Sequence, residues 1–103
     1  MSYTPLPDNV TIKKSKIHGL GLFAKNNIPK DTKLGLTHIF IGEEIVRTPL
    51  GGFYNHSDDP NCSTYYPLND LFLVTDRLCL RTIKDIQKGE EITVKYTLYS
   101  VDV

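Results

Sequence analysis

The apolar residues of this chain never keep helical register for long. They fall in short β-branched or aromatic clusters, each closed by Gly, Pro, Asn or Asp. That pattern predicts strands and turns, with strands at 10–13, 21–24, 34–41, 72–75, 78–82 and 92–96, several of them alternating between two faces. No candidate helix exceeds about two turns, short of the ~12 to 15 residues that stabilise an isolated helix. A length of 103 residues predicts one domain, 1–103, with a single core.

Charge narrows the function classes. Twelve basic and twelve acidic residues cancel and are scattered along the chain, so no basic face for direct nucleic-acid binding is expected. The N-terminal stretch lacks a cationic start before an apolar core, and no run approaches the ~18 apolar residues of a membrane helix. A soluble, intracellular chain with no membrane partner is the expectation. Cys62 and Cys79 are not closely spaced and are expected to be free thiols.

One internal echo stands out. The segments 24–34, AKNNIPKDTKL, and 82–92, TIKDIQKGEEI, each place an Ile, a Lys two positions on, and an aliphatic residue after three more. Both read as a corner: a strand, a buried Ile, a polar turn holding Pro29 or Gly89, then a second strand. Chance similarity between two hairpin-like turns is the alternative. Lys84, Lys88, Glu90 and Glu91 read as a solvated turn face.

Between the corners the chain is expected to be irregular. Gly51 and Gly52 permit unusual dihedrals, and the segment 53–62, FYNHSDDPNC, is rich in residues that bond their own backbone or fix it. Irregular backbone is where sites tend to sit. His18, His38, His56, Cys62 and Cys79 include no pair at zinc-site spacing, so no metal is expected. A Cys62–His56 nucleophilic pair is disfavoured because the turn does not present a thiol at a helix start. The Gly-x-Gly of Gly19 and Gly21 lacks the third glycine and the long helix of a dinucleotide fingerprint.

Three segments in order carry more than any one of them. GLGLFA at 19–24, FYNHSDDPNC at 53–62 and DIQKGEEITVKY at 85–96 together resemble the SET-domain protein methyltransferases. That family's signature opens on Gly-x-Gly-Leu-Phe-Ala, continues with Phe-Ile-Asn-His-Ser-x-x-Pro-Asn and ends on Gly-Glu-Glu-Leu-Thr-x-x-Tyr. The likeness runs over about 16–96, most of the chain.

The resemblance implies a mainly β, SET-type (β-clip) fold of short curved sheets with a C-terminal pseudoknot, in which 92–96 passes beside Asn55 and His56. It implies S-adenosyl-L-methionine as cofactor. Main-chain groups of His18, Gly19, Leu20, Gly21, Leu22 and Phe23 would meet its methionine part, and Asn55 and His56 its amine and adenine. It implies Tyr96 as the catalytic hydroxyl, a channel lined by Phe40, Phe53, Tyr54, Val94 and Tyr99, and a protein or peptide substrate offering a lysine. Glycines and a tight Asn-His turn expose the backbone groups that such a cofactor needs.

The departures are informative. Phe40 stands where the family often has a tyrosine, Lys95 where an acidic residue often precedes the last tyrosine, and Asp58 where a zinc-binding cysteine often stands. Only about thirty residues separate the first two motifs and seven follow Tyr96, so either 99–103 or a second copy in a homodimer is expected to close the channel. The alternatives are a non-catalytic module that binds cofactor or peptide, and a small β-rich interaction domain without cofactor.

Overall fold

Turn residues set the strand ends. In the computed structural model, which describes residues 6–69, 72–73 and 76–95, ten strands and one short helix follow one another along the chain. They are β1 (Val10–Lys14), β2 (Leu20–Ala24), β3 (Lys33–Ile41), β4 (Glu44–Arg47), α1 (Pro49–Phe53), β5 (Asn55–His56), β6 (Cys62–Tyr65), β7 (Leu68–Asn69), β8 (Phe72–Leu73), β9 (Arg77–Thr82) and β10 (Glu91–Val94). The fold is mainly β, as expected. Among the described residues no helix is long and apolar enough to cross a membrane.

The main sheet runs β1-β2-β10-β6-β9-β3-β4, with β5 pairing β10 off that path, and β7 and β8 form a separate hairpin. Five of the expected strands are present at nearly their expected bounds. The sixth, 72–75, is described only at Phe72–Leu73, and Tyr96 at the end of the last lies outside the described residues.

Five elements differ from expectation. β4, β5, β6 and β7 were not anticipated, and the glycine pair sits in α1, not in irregular backbone. Thr48 caps this helix: its hydroxyl accepts from the Gly51 N–H at 3.3 Å and donates to the Leu36 carbonyl at 2.6 Å, with Pro49 opening the first turn. A Cβ on Gly51 would overlap the Thr37 carbonyl, so only glycine lets the helix lie this close to β3.

The two corners pair with each other. Ile28 and Ile86 are both 1 % exposed and exchange backbone hydrogen bonds at 2.7 and 2.8 Å. Around them the contacts are reciprocal. The Lys88 N–H donates to Asn27 Oδ1 and the Lys30 N–H to Asp85 Oδ1, each at 2.8 Å. Gly89 donates to the Ala24 carbonyl at 2.8 Å and Asp31 to the Thr82 carbonyl at 3.0 Å. Asp31 and Gly89, at matching positions, both take positive φ, 67° and 90°. The echo is therefore structural: two like corners meet across a local two-fold.

Leu22, Leu80, Ile92, Leu50, Leu34 and Val94 close the core around the isoleucine pair. Each such side chain contributes on the order of 1.5–3 kcal/mol through burial. Because β2 enters one corner and β10 leaves the other, the pairing of corners fixes those two strands side by side.

Candidate functional site

All three sequence motifs meet on β10. Along one edge it runs antiparallel to β2, with Glu91 opposite Phe23 and Ile92 opposite Leu22. Along the other it runs parallel to β5, with Thr93 opposite Asn55 and Val94 opposite His56, and meets β6 where Val94 faces Cys62. The last motif thus passes beside the Asn-His segment.

Glu91 is the hinge of this meeting, and it is no solvated turn residue. Its carboxylate accepts the Ser15 hydroxyl at 2.8 Å and the Asn55 side-chain N–H at 2.7 Å. The carboxylate fills the space a Cβ on Gly21 would need, so the second glycine of Gly-x-Gly serves this contact. Glu90, by contrast, is exposed and accepts the Gln87 N–H at 2.6 Å, in keeping with a turn face.

Asn55 has one orientation. Its Nδ2 lies 3.2 Å from the His18 carbonyl, 3.3 Å from the Leu20 carbonyl and 2.7 Å from Glu91 Oε2, and only a nitrogen can face three oxygens. Oδ1 is left as an acceptor with no donor among the described residues. Behind this amide, Ser15 shapes the turn: its N–H donates to the Gly19 carbonyl at 2.7 Å and its hydroxyl accepts from Ile17 at 2.9 Å. Gly19 takes φ +48° there, and a Cβ would meet nothing within 4 Å, so the turn presents an open face.

Of the expected cofactor segment, the outer half is accessible. His18, Gly19 and Leu20 are exposed, as is Ile17 beside them. Leu22 is fully buried, and Leu22 and Phe23 are paired on both sides, by β1 and by β10.

The loop between β5 and β6 is stitched to β10 by Asn61. The side chain accepts from the Thr93 N–H at 2.9 Å and donates to the Glu91 carbonyl at 2.8 Å, in place of a strand partner. Ser57 donates to the Val94 carbonyl at 3.1 Å. His56 Nε2 lies 3.0 Å from Asp58 Oδ1, so the aspartate at the zinc-cysteine position engages the histidine of the motif. Among the described residues no three His, Cys, Asp or Glu side chains gather as metal ligands.

The expected channel residues divide. Phe53 ends α1, Tyr54 caps it, and both pack on the core, immediately before Asn55. Val94 is buried opposite His56. Phe40 lies on β3 opposite Ile45, separated from β10 in the sheet by β6 and β9. Tyr96 and Tyr99 lie outside the described residues.

Tyr54 stands edge-on to His38, with ring centroids 6.4 Å apart. His38 is fully buried, and burial, with the nearby Arg47 charge, holds its pKa below the usual 6.5. Its tautomer follows from its neighbour. Thr37 gives its hydroxyl proton to the Leu78 carbonyl at 3.1 Å, so at 3.0 Å it can only accept from His38 Nδ1–H, leaving Nε2 an acceptor with no donor among the described residues. Cys62 is also buried, which pushes its thiol up to about 12 and removes it as a nucleophile.

Ser15 lies outside the three motifs, and Asn61 and Glu91 lie within them without an expected role in the site. The signal for the latter two is placement: Glu91 is the second acid of Gly-Glu-Glu and Asn61 follows the proline of the central segment.

A mainly β sheet whose last strand lies between a Gly-x-Gly hairpin and an Asn-His segment defines a SET-type fold. The SET domain family model matches residues 40–97, more than half of the chain. The chain belongs to the SET-domain family. A crystal structure of a Plasmodium falciparum protein, proposed to be a histone methyltransferase, superposes with a TM-score of 0.70 at 24% identity, over 86% of this chain and 93% of that one. No curated protein matches.

Proposed function

We propose that the chain is an S-adenosyl-L-methionine-dependent protein-lysine methyltransferase. Membership of the SET family supports methyl transfer, and the observation that carries the cofactor assignment is the orientation of Asn55. With Nδ2 committed to three oxygens, Oδ1 is a fixed acceptor beside the open Gly19 turn. An acceptor held in this way suits an ammonium group, and the exposed Ile17 and Leu20 suit the apolar part of a ligand. The residues present therefore fit the methionine half of the cofactor.

His18, Gly19 and Leu20 would hold that half through main-chain groups, Asn55 would take the amine, and His56 would face the purine. Gly21, Leu22 and Phe23 would act behind them by fixing the strand. Bound there, the cofactor supplies an electrophilic sulfonium methyl.

The remaining work falls to the chain. A substrate lysine starts with a pKa of about 10.4 and must be neutral to attack. Phe53, Tyr54 and Val94 would enclose it in apolar surroundings that favour the neutral amine, with Tyr96 and Tyr99 completing the channel. Tyr96 would aim its hydroxyl at the transferring methyl. Orientation and exclusion of water then supply most of the acceleration. The parallel run of β10 beside β5 supports a threaded arrangement of the segment that ends in Tyr96.

A second reading, a member that binds cofactor or peptide without transferring methyl, is favoured by Phe40, which brings no hydroxyl, and by Lys95. Mass spectrometry on lysine-bearing proteins incubated with labelled cofactor separates the two. The methyltransferase predicts a methyl increment on lysine that Tyr96→Phe abolishes. A folded chain that binds cofactor but leaves every substrate unmodified would establish the second reading.

A further inference from the structure

Two cations face each other across neighbouring strands. Lys33 on β3 is the register partner of Arg81 on β9. Leu34, Leu80 and Thr82, next to them along the two strands, are buried, so by alternation both charges stand on the opposite, solvent face. Like charges directly opposite are destabilising, and among the described residues neither cation takes part in an ion pair. The fold gains nothing from placing them together.

Their surroundings form a cavity. Lys33 and Arg81 line a hollow of about 400 Å³ with Tyr65, Tyr66, Pro67 and Leu68, within the roughly 300–1,000 Å³ of small-ligand sites. β6 brings Tyr65 to this face, where it opposes Cys79 while Ser63 opposes Arg81. The Arg81 guanidinium lies 5.4 Å from the centre of the Tyr65 ring, a contact that holds it in place. The polar side chains of the lining are an ammonium, a guanidinium and two phenols, all of them donors, and no carboxylate or amide stands among them. Tyr66 and Leu68 are 41% and 74% exposed, so the apolar wall continues past the hollow.

We propose that this hollow binds a phosphate monoester carried on an apolar or aromatic body. Such an ester bears about −1.5 to −2 charges near pH 7 and three acceptor oxygens, so one group faces both cations at once. A carboxylate or a sulfate ester, with a single charge, leaves much of the repulsion uncompensated. Arg81 can offer a phosphate two parallel N–H donors, and Lys33 adds a point charge from the facing strand. Tyr66, Pro67 and Leu68 would cover the carbon part of the ligand. In the main sheet β6 separates β9 and β3 from β10, so the hollow is distinct from the Gly19 turn and Asn55. The proposal does not depend on the chain being a methyltransferase.

Amide NMR titration of the full chain at low ionic strength, where screening is least, tests it. Phenyl phosphate should shift the signals of Lys33, Tyr65, Tyr66, Leu68 and Arg81 saturably, with a Kd on the order of 0.1–1 mM. Phenyl sulfate, of the same shape with less charge, should bind at least about fivefold more weakly, as should inorganic phosphate, which lacks the apolar body. Arg81→Gln and Lys33→Gln, both at exposed positions, should each weaken phenyl phosphate about fivefold or more. Lys33→Glu should abolish binding and, by pairing with Arg81, raise Tm by about 1–5 °C, a gain that a structural role for Lys33 would not give. A short phosphotyrosine peptide and uridine monophosphate distinguish a protein-borne from a free source: the one that matches or betters phenyl phosphate at these signals is the source. Weaker binding of both, no saturable shift at these residues, equal binding of phenyl sulfate, or a lowered Tm in Lys33→Glu would overturn the proposal.

Discussion

Asn55 and Glu91, thirty-six positions apart, share a hydrogen bond of 2.7 Å that joins the central motif to the last one. Through the same amide Asn55 also reaches the carbonyls of His18 and Leu20 in the first motif. One side chain thus gathers all three.

Glu91→Ala removes the acceptor of the Ser15 hydroxyl and the shortest of the three contacts of the Asn55 amide, and should cost about 1–3 kcal/mol. Gly21→Ala should cost a similar ~1–3 kcal/mol by overpacking against the carboxylate. In the Glu91→Ala background the added methyl still meets the Asn55 amide nitrogen, at 3.1 Å, but no longer the carboxylate, so Gly21→Ala should cost clearly less there. Urea unfolding of the four proteins measures the coupling, and additive effects would contradict the assigned contact.

The corner pairing makes a sharper claim about folding. Ile28→Ala and Ile86→Ala should each destabilise by about 2–5 kcal/mol, since each opens a cavity at the same contact. Their double mutant should lose less than the sum. A near-zero cost at either position would show that the two corners do not depend on each other.

His38 predicts a pH dependence of stability. Its folded pKa is depressed below 6.5, so the unfolded chain binds the proton first as pH falls. The stabilisation is complete above 6.5 and is lost progressively below it, until the folded pKa is reached. Thermal melts should fall more steeply with acid in the wild type than in His38→Leu. Parallel slopes for the two proteins below 6.5 would refute the neutral, buried imidazole.

Thiol reactivity offers a direct readout of the core. Cys62, raised to about 12 by burial, should react with a thiol reagent at mild alkaline pH only at the rate of unfolding, whereas half-buried Cys79 should react in the folded chain. Two equally fast thiols would place Cys62 outside the core.

How far the sequence could be read depended on where each signal lay. β1, β2, β3 and β9 were legible because apolar alternation and flanking turn residues are local. β6 was hidden inside polar Cys-Ser-Thr-Tyr, a strand only because β9 pairs it and Val94 meets its first residue. β4 carries no buried residue, and α1 holds two glycines against helix propensity, stabilised by the Thr48 cap and the close approach of Gly51 to Thr37. Glu91 looked solvated because its partners, Ser15 and Asn55, are distant in sequence. The Asn-His segment was placed correctly beside the last strand by its likeness to a family, since its own residues describe only a turn.

Calorimetric titration of S-adenosyl-L-methionine, alongside a deaminated analogue, tests the central claim that Asn55 Oδ1 is a cofactor acceptor. The wild type should bind the cofactor more tightly than the analogue, and folded Asn55→Ala should lose that difference. Equal binding of both ligands by the wild type, or no binding to the folded chain, would contradict it.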